Sequence, residues 1–500
     1  MFGKVYDVAV IGGGLNGVAI ARDAAGRGLS VFLCEQGDLG GGASSATGKL
    51  IHGKLDHLEG LRFAAMREAV AEREILLRSA PHLVRPLTFL IPRHERQSSP
   101  MALRLGLFAY DHAARCSLPA ARMVDLEVES AAASLQPHFT VAFAYSDCFA
   151  DDSRLVIHNA LDARARGATI STRLRCTVAE RDGGQWRLAM ESTVTGERSV
   201  VSAQILVNAA GAMVGEVRDH VVHATSQERL RLTRSAWLVV RREMRDEVAY
   251  ALPNADGRIV YALPYEAGTM LLGPAVTPYA GTAASARVEP ADVAYLADVT
   301  DQYFHTPVDD SDIVQTFASV RALPMEPGEA RGGRAIAVDA PSRMAPLLSV
   351  FGGSLTLHRR LAEEVVDRMG KFRQLAPAWT ESAILPGGGF PPGGSATIAR
   401  ALSRAYPFIS EEHAARLVAA YGTRASDVLT GARSAAGLGR RFGGDLTEAE
   451  VAYLRREEWA DTAEDILWRR SKLGLSFDAG EVAALAGWLE QASSLAMPAA

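Results

Sequence analysis

Near its amino terminus the chain places a run of glycines between a predicted strand and a predicted helix. Val5–Ile11 is a short, β-branched run that is typical of a buried parallel strand. The glycine-rich stretch 12–17 follows, and the Ala-rich stretch 18–28 is predicted to be a helix ending at its last glycine. A second strand is predicted over 29–34, with Glu35 directly after it. This β-α-β order requires a parallel sheet with a crossover helix.

The glycines at positions 12, 14 and 17 have the spacing of a dinucleotide-binding turn. Gly12 makes the tight turn, Gly14 lets a pyrophosphate approach the backbone, and Gly17 lets the helix pack closely on the sheet. The helix N-terminus offers unpaired N–H groups to the phosphates. Glu35 can accept both hydroxyls of an adenosine ribose and would repel a 2′-phosphate. The turn fits FAD or NAD, and its N-terminal position with the small-residue loop 40–45 favours FAD.

Composition narrows the class of protein. The chain has 500 residues, 48% hydrophobic and 22% charged, with a net charge of −5. This composition excludes disorder as the dominant state, and its mild acidity argues against a nucleic-acid partner. The 4 cysteines are widely spaced, so we expect neither a metal site nor a redox dithiol, and a reduced, cytoplasmic compartment is favoured. No apolar run is long enough to span a membrane, and the amino terminus does not resemble a signal peptide.

The rest of the chain divides into regions of different pattern. Spacing and β-propensity predict a helix over 63–79, strands over 168–171, 176–180, 186–190, 199–207 and 346–351, and a helix from about Leu357. The Pro- and Gly-rich stretch 385–395 is predicted to be a linker. Residues 396–500 are predicted to be helical, with no strand pattern.

The segment 44–53, Ser-Ser-Ala-Thr-Gly-Lys-Leu-Ile-His-Gly, resembles the flavin-contacting segment of FAD-dependent glycerol-3-phosphate dehydrogenases. Segments 206–211, 319–323, 345–353 and 467–474 resemble further patterns of that family, in the same order along the chain. The resemblance implies an α/β fold with a Rossmann-like FAD-binding domain interleaved with a β-sheet substrate domain, followed by an all-α domain. The implied bounds are 1–80, 145–225 and 335–375 for the FAD-binding domain, 81–144 and 226–334 for the substrate domain, and 396–500 for the helical domain.

The resemblance also implies a cofactor and an activity. Family members oxidise a secondary alcohol by hydride transfer to flavin N5, and pass the electrons to a quinone at the membrane surface or to oxygen. The residues implied or predicted to contact FAD are Gly12, Gly14, Leu15, Asn16, Gly17, Glu35, Gln36, Ser44, Ser45, Lys49, Leu50, His52, Cys176, Ala210, Gly211, Gly352, Gly353, Ser354, Leu355 and Thr356.

The positions that would face the substrate depart from the family pattern. Asp56 stands where the family has an Arg that binds the substrate phosphate, and His57 stands where it has Tyr. Trp237 replaces a His and Ser354 replaces a Lys, whereas Arg321 is kept. A buried phosphate needs several charge-assisted hydrogen bonds, and losing one partner of such a pair costs about 2–5 kcal/mol. We therefore expect an altered substrate.

Several residues are candidates for the altered site. Lys54, Asp56, Arg234, Trp237, Ser354 and Arg359 are predicted to bind substrate. Arg321 is predicted to orient or polarise the substrate oxygen, and His57 or His358 to accept its proton, because the ordinary pKa of histidine is near 6.5. His52 is a third candidate base that also fits a structural role. Trp237 fits either a core residue or a wall of the substrate site.

Two other functions stay open. One is a true sn-glycerol-3-phosphate:quinone dehydrogenase, giving dihydroxyacetone phosphate, whose phosphate site is rebuilt from Lys54, Arg321 and Arg359. The other is a flavoprotein without turnover. The basic, amphipathic residues around 92–108 fit either a peripheral contact with the inner face of the cytoplasmic membrane or an ordinary core helix. The oligomeric state is open, with a homodimer as one option.

Overall fold

The fold was analysed in a computed structural model of the chain. The structure describes residues 4–53, 63–93, 100–112, 114, 116–128, 133–224, 228–244, 248–325 and 333–496. Lys54, Asp56 and His57, three of the predicted substrate-site residues, lie outside the described residues.

Strands make up two large sheets and one small ribbon. In chain order they are β1 Val5–Ile11, β2 Val31–Cys34, β3 Leu50–Ile51, β4 Val84–Pro92, β5 Arg122–Asp125, β6 Val141–Ala150, β7 Thr169–Ser171, β8 Leu174–Asp182, β9 Gln185–Ser192, β10 Arg198–Asn208, β11 Leu230–Val240, β12 Ala249–Pro253, β13 Ile259–Tyr265, β14 Thr269–Tyr279, β15 Ile313–Pro324, β16 Arg334–Asp339, β17 Leu347–Gly352, β18 Arg441–Gly443 and β19 Leu446–Thr447.

Helices cover the sheets and build the C-terminal region. They are α1 Leu15–Gly26, α2 Phe63–Ser79, α3 Pro100–Asp111, α4 Asp152–Ala165, α5 Val214–Glu216, α6 Pro290–Tyr303, α7 His358–Met369, α8 Ser395–Ala405, α9 Glu411–Tyr421, α10 Ala425–Val428, α11 Glu448–Glu458 and α12 Ala479–Ala496. In the part of the chain that the structure describes, none of these helices is long and apolar enough to cross a bilayer.

The first sheet has 8 strands in the order β16-β17-β10-β1-β2-β7, with β9 paired to β10 and β8 paired to β9. β1 runs parallel to both β2 and β10. Its side chains alternate between two cores, as a strand requires. Val8 and Val10 pack with α1, α4 and α7, whereas Ala9 and Ile11 pack against β8 and β9. The predicted β-α-β unit is thus confirmed at the centre of this sheet.

The second sheet has 9 strands in the order β15-β11-β14-β13-β12-β4-β6-β3, with β5 paired to β6. Along β11, Ala236 and Leu238 pack towards α6, whereas Trp237 and Val239 point to the opposite face. β3 belongs to the segment 44–53, so this segment leaves the first sheet and pairs with β6 of the second. The segment therefore lies where the two sheets meet.

The C-terminal helices have a core of their own, built from residues such as Leu417, Val451 and Leu485. The prediction of no strands after 396 is wrong, because β18 and β19 form a short antiparallel pair. The stretch 385–395 is also packed: Leu385 N donates to Ser79 O at 2.9 Å, and Thr423 N donates to Gly387 O at 2.9 Å. It therefore joins α2 to the C-terminal helices through direct bonds.

Candidate functional site

The glycine turn ends β1 and leads into α1. Gly12 has a φ of +111°, and a Cβ there would lie 2.6 Å from Ala209 O. A Cβ on Gly17 would lie 1.9 Å from Gly12 O, so only glycine allows this close packing of helix on strand. α1 has no side-chain cap and no acid in its first turn. The N-terminus of α1 therefore keeps the partial positive charge that suits a phosphate group.

Glu35 follows β2 and reaches back over the glycine turn. Its Oε2 accepts a hydrogen bond from Gly13 N at 2.7 Å, and its Oε1 accepts one from Gly37 N at 2.8 Å. Burial raises the pKa of the Glu35 carboxyl, while the two N–H donors oppose this shift. The carboxylate thus stands beside the turn, where an adenosine ribose would be recognised.

The residues around 44–49 are fixed by a buried ion pair. Ser44 Oγ accepts a hydrogen bond from Leu15 N at 2.9 Å, which ties the segment to the start of α1. Lys49 donates from Nζ to Ser45 O at 2.6 Å and to Asp152 Oδ2 at 2.7 Å. Burial opposes ionisation of Asp152, but the Lys49 and Lys472 ammonium groups hold its pKa below the ordinary value. The Lys49 side chain thus holds the loop, while Lys49 O accepts a hydrogen bond from Ala150 N at 2.7 Å beside the pairing of Leu50 with β6.

A second turn follows β17 at Gly352 and Gly353, both with positive φ. Asn16 Nδ2 donates to Gly352 O at 3.0 Å, so the first turn of α1 touches this second turn. Ser354 Oγ accepts a hydrogen bond from Leu357 N at 3.2 Å, within the turn that precedes α7. Leu355, which follows Ser354, is buried.

The second turn also contacts the segment 44–53. His52 N donates to Thr356 Oγ1 at 3.1 Å, and the Thr356 hydroxyl donates back to His52 O at 3.3 Å. Together with Asn16, these bonds bring three of the predicted cofactor segments to one place.

Arg321 lies at the edge of this group, on β15. It pairs with Thr233 of β11, four residues from Trp237, so Arg321 and Trp237 point to the same face of the second sheet. Its Nη2 donates to Gly353 O at 2.6 Å. Burial lowers the pKa of the guanidinium, and no carboxylate of the described residues pairs with it. A half-buried guanidinium next to the second turn, without a carboxylate partner among the described residues, can bind an oxygen or an anion.

Trp237 packs against the segment 44–53. A Cβ on Gly48 would lie 2.5 Å from the Trp237 ring, and one on Gly273 would lie 2.7 Å from it. The ring also stacks on Phe317, with centroids 6.5 Å apart. Trp237 is therefore a wall of the junction between the sheets, as well as a core residue.

Arg234 and Arg359, both predicted to bind substrate, are paired with carboxylates of the chain. Arg234 points to the other face of β11 and pairs with Glu289 and with Asp292, the latter at 2.7 Å. Arg359 pairs with Glu72 and also donates to Thr380 Oγ1 at 3.0 Å. The guanidinium groups are filled by carboxylates of the chain, so neither is available to a substrate.

His358, one of the predicted bases, is buried. Its side chain is 1% exposed and its Nδ1 lies 2.7 Å from Leu355 O. Burial lowers the pKa of His358 to about 4. His358 occupies the first turn of α7, which directs it into the core and away from the junction of the sheets.

The remaining predicted cofactor residues lie around the first sheet. Ala210 N donates to Asn208 Oδ1 at 3.3 Å, and Gly211 has a φ of +61°. Gln36 Nε2 lies 3.3 Å from Met213 Sδ, so it reaches the same side of the sheet as Gly211. The Cys176 thiol is buried in the core behind β2 and lies 3.6 Å from Val178 O.

Sequence reasoning missed a buried network beside the candidate site. Tyr110 Oη accepts a hydrogen bond from Gly53 N at 2.7 Å and donates to Asp147 at 2.6 Å, and Asp147 pairs with Arg73 at 2.7 Å. The Tyr110 hydroxyl thus holds the backbone of the chain in place at Gly53. The sequence signal for Asp147 and Asp152 was their presence in family-like segments, which carried no role by themselves.

Comparison with known proteins agrees with this arrangement. Residues 7–353 match the family model of the FAD dependent oxidoreductases, and residues 378–490 match the C-terminal domain of alpha-glycerophosphate oxidase. The chain is 42% identical to the glycerol-3-phosphate dehydrogenase of Pseudomonas aeruginosa, over 97% of this chain and 95% of that protein. It is 39% identical to the D-erythritol 1-phosphate dehydrogenase of Brucella abortus, over 99% of each.

Among solved structures, the fold resembles the glycerol-3-phosphate dehydrogenase from Bacillus halodurans complexed with FAD. The TM-score is 0.79 at 24% identity, covering 98% of this chain and 91% of that one. At this identity the likeness shows the fold, and the full-length relatives show the family. The chain is therefore an FAD-dependent oxidoreductase that belongs to the glycerol-3-phosphate dehydrogenase family.

Proposed function

We propose that this enzyme oxidises a CH–OH carbon, or an equivalent amine carbon, of a substrate other than glycerol 3-phosphate. One observation carries the proposal. Of the three arginines that sequence reasoning placed at the substrate site, Arg234 and Arg359 are paired with carboxylates, and Arg321 is not. The described residues therefore offer one uncompensated arginine at the second turn, which is too few for a buried phosphate dianion.

The residues present fit FAD. The glycine turn leaves a surface without side chains, where a Cβ on Gly12 or Gly17 would strike the backbone. Glu35 stands where a ribose would be held, and Gly352 and Gly353 expose backbone at a second turn, 3.0 Å from Asn16 at Gly352 O. When bound, FAD accepts the hydride that leaves the substrate carbon. We assign its pyrophosphate to the start of α1 and its flavin to the junction of the two sheets.

Arg321 is proposed to bind the oxygen of the reacting carbon. A guanidinium has five N–H donors, and the bond to Gly353 O uses one of them and orients the rest. Because the group is half-buried, its charge acts in a lower dielectric than that of water, which strengthens a hydrogen bond to an oxygen. This contact would orient the substrate for reaction.

A histidine is proposed to accept the proton of the substrate hydroxyl. The buried His358 is unsuitable, which leaves His57 and His52 of the original candidates. His52 is bound through its backbone to Thr356 and lies beside the second turn. His57 belongs to the stretch after Gly53, whose start is held by Tyr110.

The other substitutions support an altered substrate. Asp56, in place of a phosphate-binding Arg, would repel an anion and would accept hydrogen bonds from a hydroxyl or an amine. Ser354 removes a second cation, and its hydroxyl accepts a hydrogen bond from Leu357 N instead. The D-erythritol 1-phosphate dehydrogenase of Brucella abortus, at 39% identity, supports a change of substrate within this family.

We propose a quinone or oxygen as electron acceptor and a cytoplasmic enzyme with peripheral membrane contact. The support for membrane contact is α3. Its Leu105 and Phe108 side chains are 67% and 59% exposed, whereas Leu107 and Tyr110 are buried. An exposed pair of this kind on an amphipathic helix suits a membrane interface.

The test is anaerobic reduction of the bound flavin by a panel of compounds. The panel contains sn-glycerol 3-phosphate, D-erythritol phosphates, free polyols, hydroxy acids and amino alcohols, with dithionite as the control for a reducible flavin. We expect loss of flavin absorbance with a member other than glycerol 3-phosphate. Fast loss with glycerol 3-phosphate would instead favour a rebuilt phosphate site, and reduction by dithionite alone would favour a flavoprotein without turnover.

A further inference from the structure

We infer that residues 469–472 of the C-terminal domain, here called the clamp turn, position the FAD-binding loop by holding it at both ends. The loop comprises residues 35–49 and is called the cofactor loop. The clamp turn then supplies positioning residues for the cofactor, although it lies far along the chain from the glycine turn. This inference rests on the proposed FAD site.

The first anchor is Asp38, three residues after Glu35. Its Oδ2 accepts hydrogen bonds from Arg469 Nε at 2.6 Å and Arg470 Nη1 at 2.9 Å, and its Oδ1 accepts one from Arg470 Nη2 at 2.7 Å. The side chains of Asp38 and Arg470 are 3% and 0% exposed. Such a buried, two-pronged pair fixes orientation as well as distance.

The second anchor is at the other end of the cofactor loop. Lys472 Nζ lies 3.4 Å from Asp151 Oδ1 and 3.8 Å from Asp152 Oδ1. Asp152 in turn accepts bonds from Thr47 Oγ1 and Lys49 Nζ, both at 2.7 Å. One carboxylate therefore links the clamp turn to the last residues of the loop.

The loop between the anchors touches the glycine turn. Gly40 N donates to Gly13 O at 3.0 Å, and Ser44 Oγ accepts from Leu15 N at 2.9 Å. Ser45 and Ala46 line a cavity of about 440 Å³ whose other walls include Arg469 and Lys472. The clamp turn thus lies beside the cofactor loop at Asp38 and again at Ser45 and Ala46.

Other residues of the C-terminal domain, together with α4, hold the clamp turn in place. Arg470 Nη2 donates to Glu458 O at 2.7 Å, and the Glu458 carboxylate pairs with Arg154 of α4. Arg469 also binds Asp465 at 2.7 Å. A support built from buried, satisfied pairs is rigid, so it holds the clamp turn in one geometry against the cofactor loop.

A coupling of this kind acts in both directions. If docking of the clamp turn favours the loop conformation that binds FAD, bound FAD must favour docking by the same factor. Loss of an anchor therefore speeds release of FAD. It also removes the protection that FAD gives the C-terminal domain against proteolysis.

The experiment measures FAD release from the full-length holoenzyme, by the rise of flavin fluorescence after dilution. The variants are Arg470→Lys, which keeps the charge but loses the two-pronged pair, and Lys472→Met, which removes the cation beside Asp152. We expect each to release FAD about 10-fold faster than the wild type. FAD should also protect the C-terminal domain of each variant less against limited proteolysis.

Arg416→Lys is the matched control. Arg416 forms a two-pronged pair with the buried Glu450, at 2.7 and 2.8 Å, but its partners lie within the C-terminal domain. We expect a lower thermal midpoint and a wild-type rate of FAD release. Wild-type release from both clamp variants, or equal acceleration in Arg416→Lys, would overturn the inference. If Arg470→Lys does not fold, Asp38→Asn replaces it under the same criteria.

A reference variant distinguishes a failure of this inference from a failure of the proposed FAD site. Gly17→Ala places a Cβ 1.9 Å from Gly12 O and should abolish FAD binding. Full FAD retention in Gly17→Ala would refute the assigned FAD site. The release assay contains no substrate, so its outcome does not depend on which compound the enzyme oxidises.

Discussion

The guanidinium of Arg321 donates a hydrogen bond of 2.6 Å to the carbonyl oxygen of Gly353. This bond joins β15 of the second sheet to the turn that ends β17 of the first sheet. It places a half-buried cation at the junction where the predicted cofactor segments meet. The proposed activity depends on this relationship, because the other candidate arginines are committed to carboxylates.

Arg321→Gln is expected to retain FAD and to lower the rate of flavin reduction by the best substrate. We expect a loss of about 100- to 1,000-fold, the usual effect of removing one charge-stabilising donor. The measurement is anaerobic stopped-flow absorbance. Arg234→Lys is the matched control, since it points to the opposite face of β11. An equal loss in both variants would contradict the assignment of Arg321.

Arg359→Met tests whether Arg359 stabilises the fold and does not bind the substrate. It leaves Glu72 buried without its cation, and we expect the free energy of unfolding to fall by about 3–5 kcal/mol. The Michaelis constant of the folded enzyme should stay unchanged. Denaturant unfolding and steady-state kinetics give the two values. A raised Michaelis constant with an unchanged free energy of unfolding would instead support the predicted role of Arg359 in substrate binding.

His358 predicts a pH dependence of stability. Its pKa is about 4 in the folded chain, below the ordinary 6.5, so the unfolded chain binds the proton more tightly. The contribution of the neutral His358 side chain to the free energy of unfolding is fully present above pH 6.5 and is lost as the pH falls towards 4. At about 1.4 kcal/mol per pKa unit, the loss is about 3 kcal/mol.

The variant His358→Asn checks both the sign and the role. It should show a flatter dependence of unfolding free energy on pH between 4 and 6.5, measured by denaturant titration. Flavin reduction by the best substrate should stay within about twofold of the wild type, since the side chain is 1% exposed. Loss of reduction at every pH would show that His358 acts on the substrate.

Much of the fold follows from local pattern. The glycine spacing and the apolar runs around it predicted β1, α1 and β2, and the helical spacing over 63–79 predicted α2 with its observed bounds. These features depend on neighbours along the chain. β18 and β19 were missed, because strands of 3 and 2 residues carry too little pattern.

The substrate side of the site was harder to predict. The distance between two residues along the chain does not show which face of a strand or helix each side chain points to. Arg234 stands three residues from Trp237, yet the alternation of β11 puts them on opposite faces. His358 follows the second turn directly, yet the start of α7 turns it into the core. Glu289, a partner of Arg234, and Glu72, a partner of Arg359, lie 55 and 287 residues away along the chain, so no local pattern shows these two pairs.

The most direct measurement is anaerobic reduction of the flavin by sn-glycerol 3-phosphate, in the wild type and in the double variant Asp56→Arg, Ser354→Lys. We predict no fast loss of flavin absorbance in the wild type and a clear gain in the double variant, since two cations return to the site. Fast reduction of the wild-type flavin by glycerol 3-phosphate would contradict the account. The enzyme would then be a glycerol-3-phosphate dehydrogenase that binds phosphate with other residues.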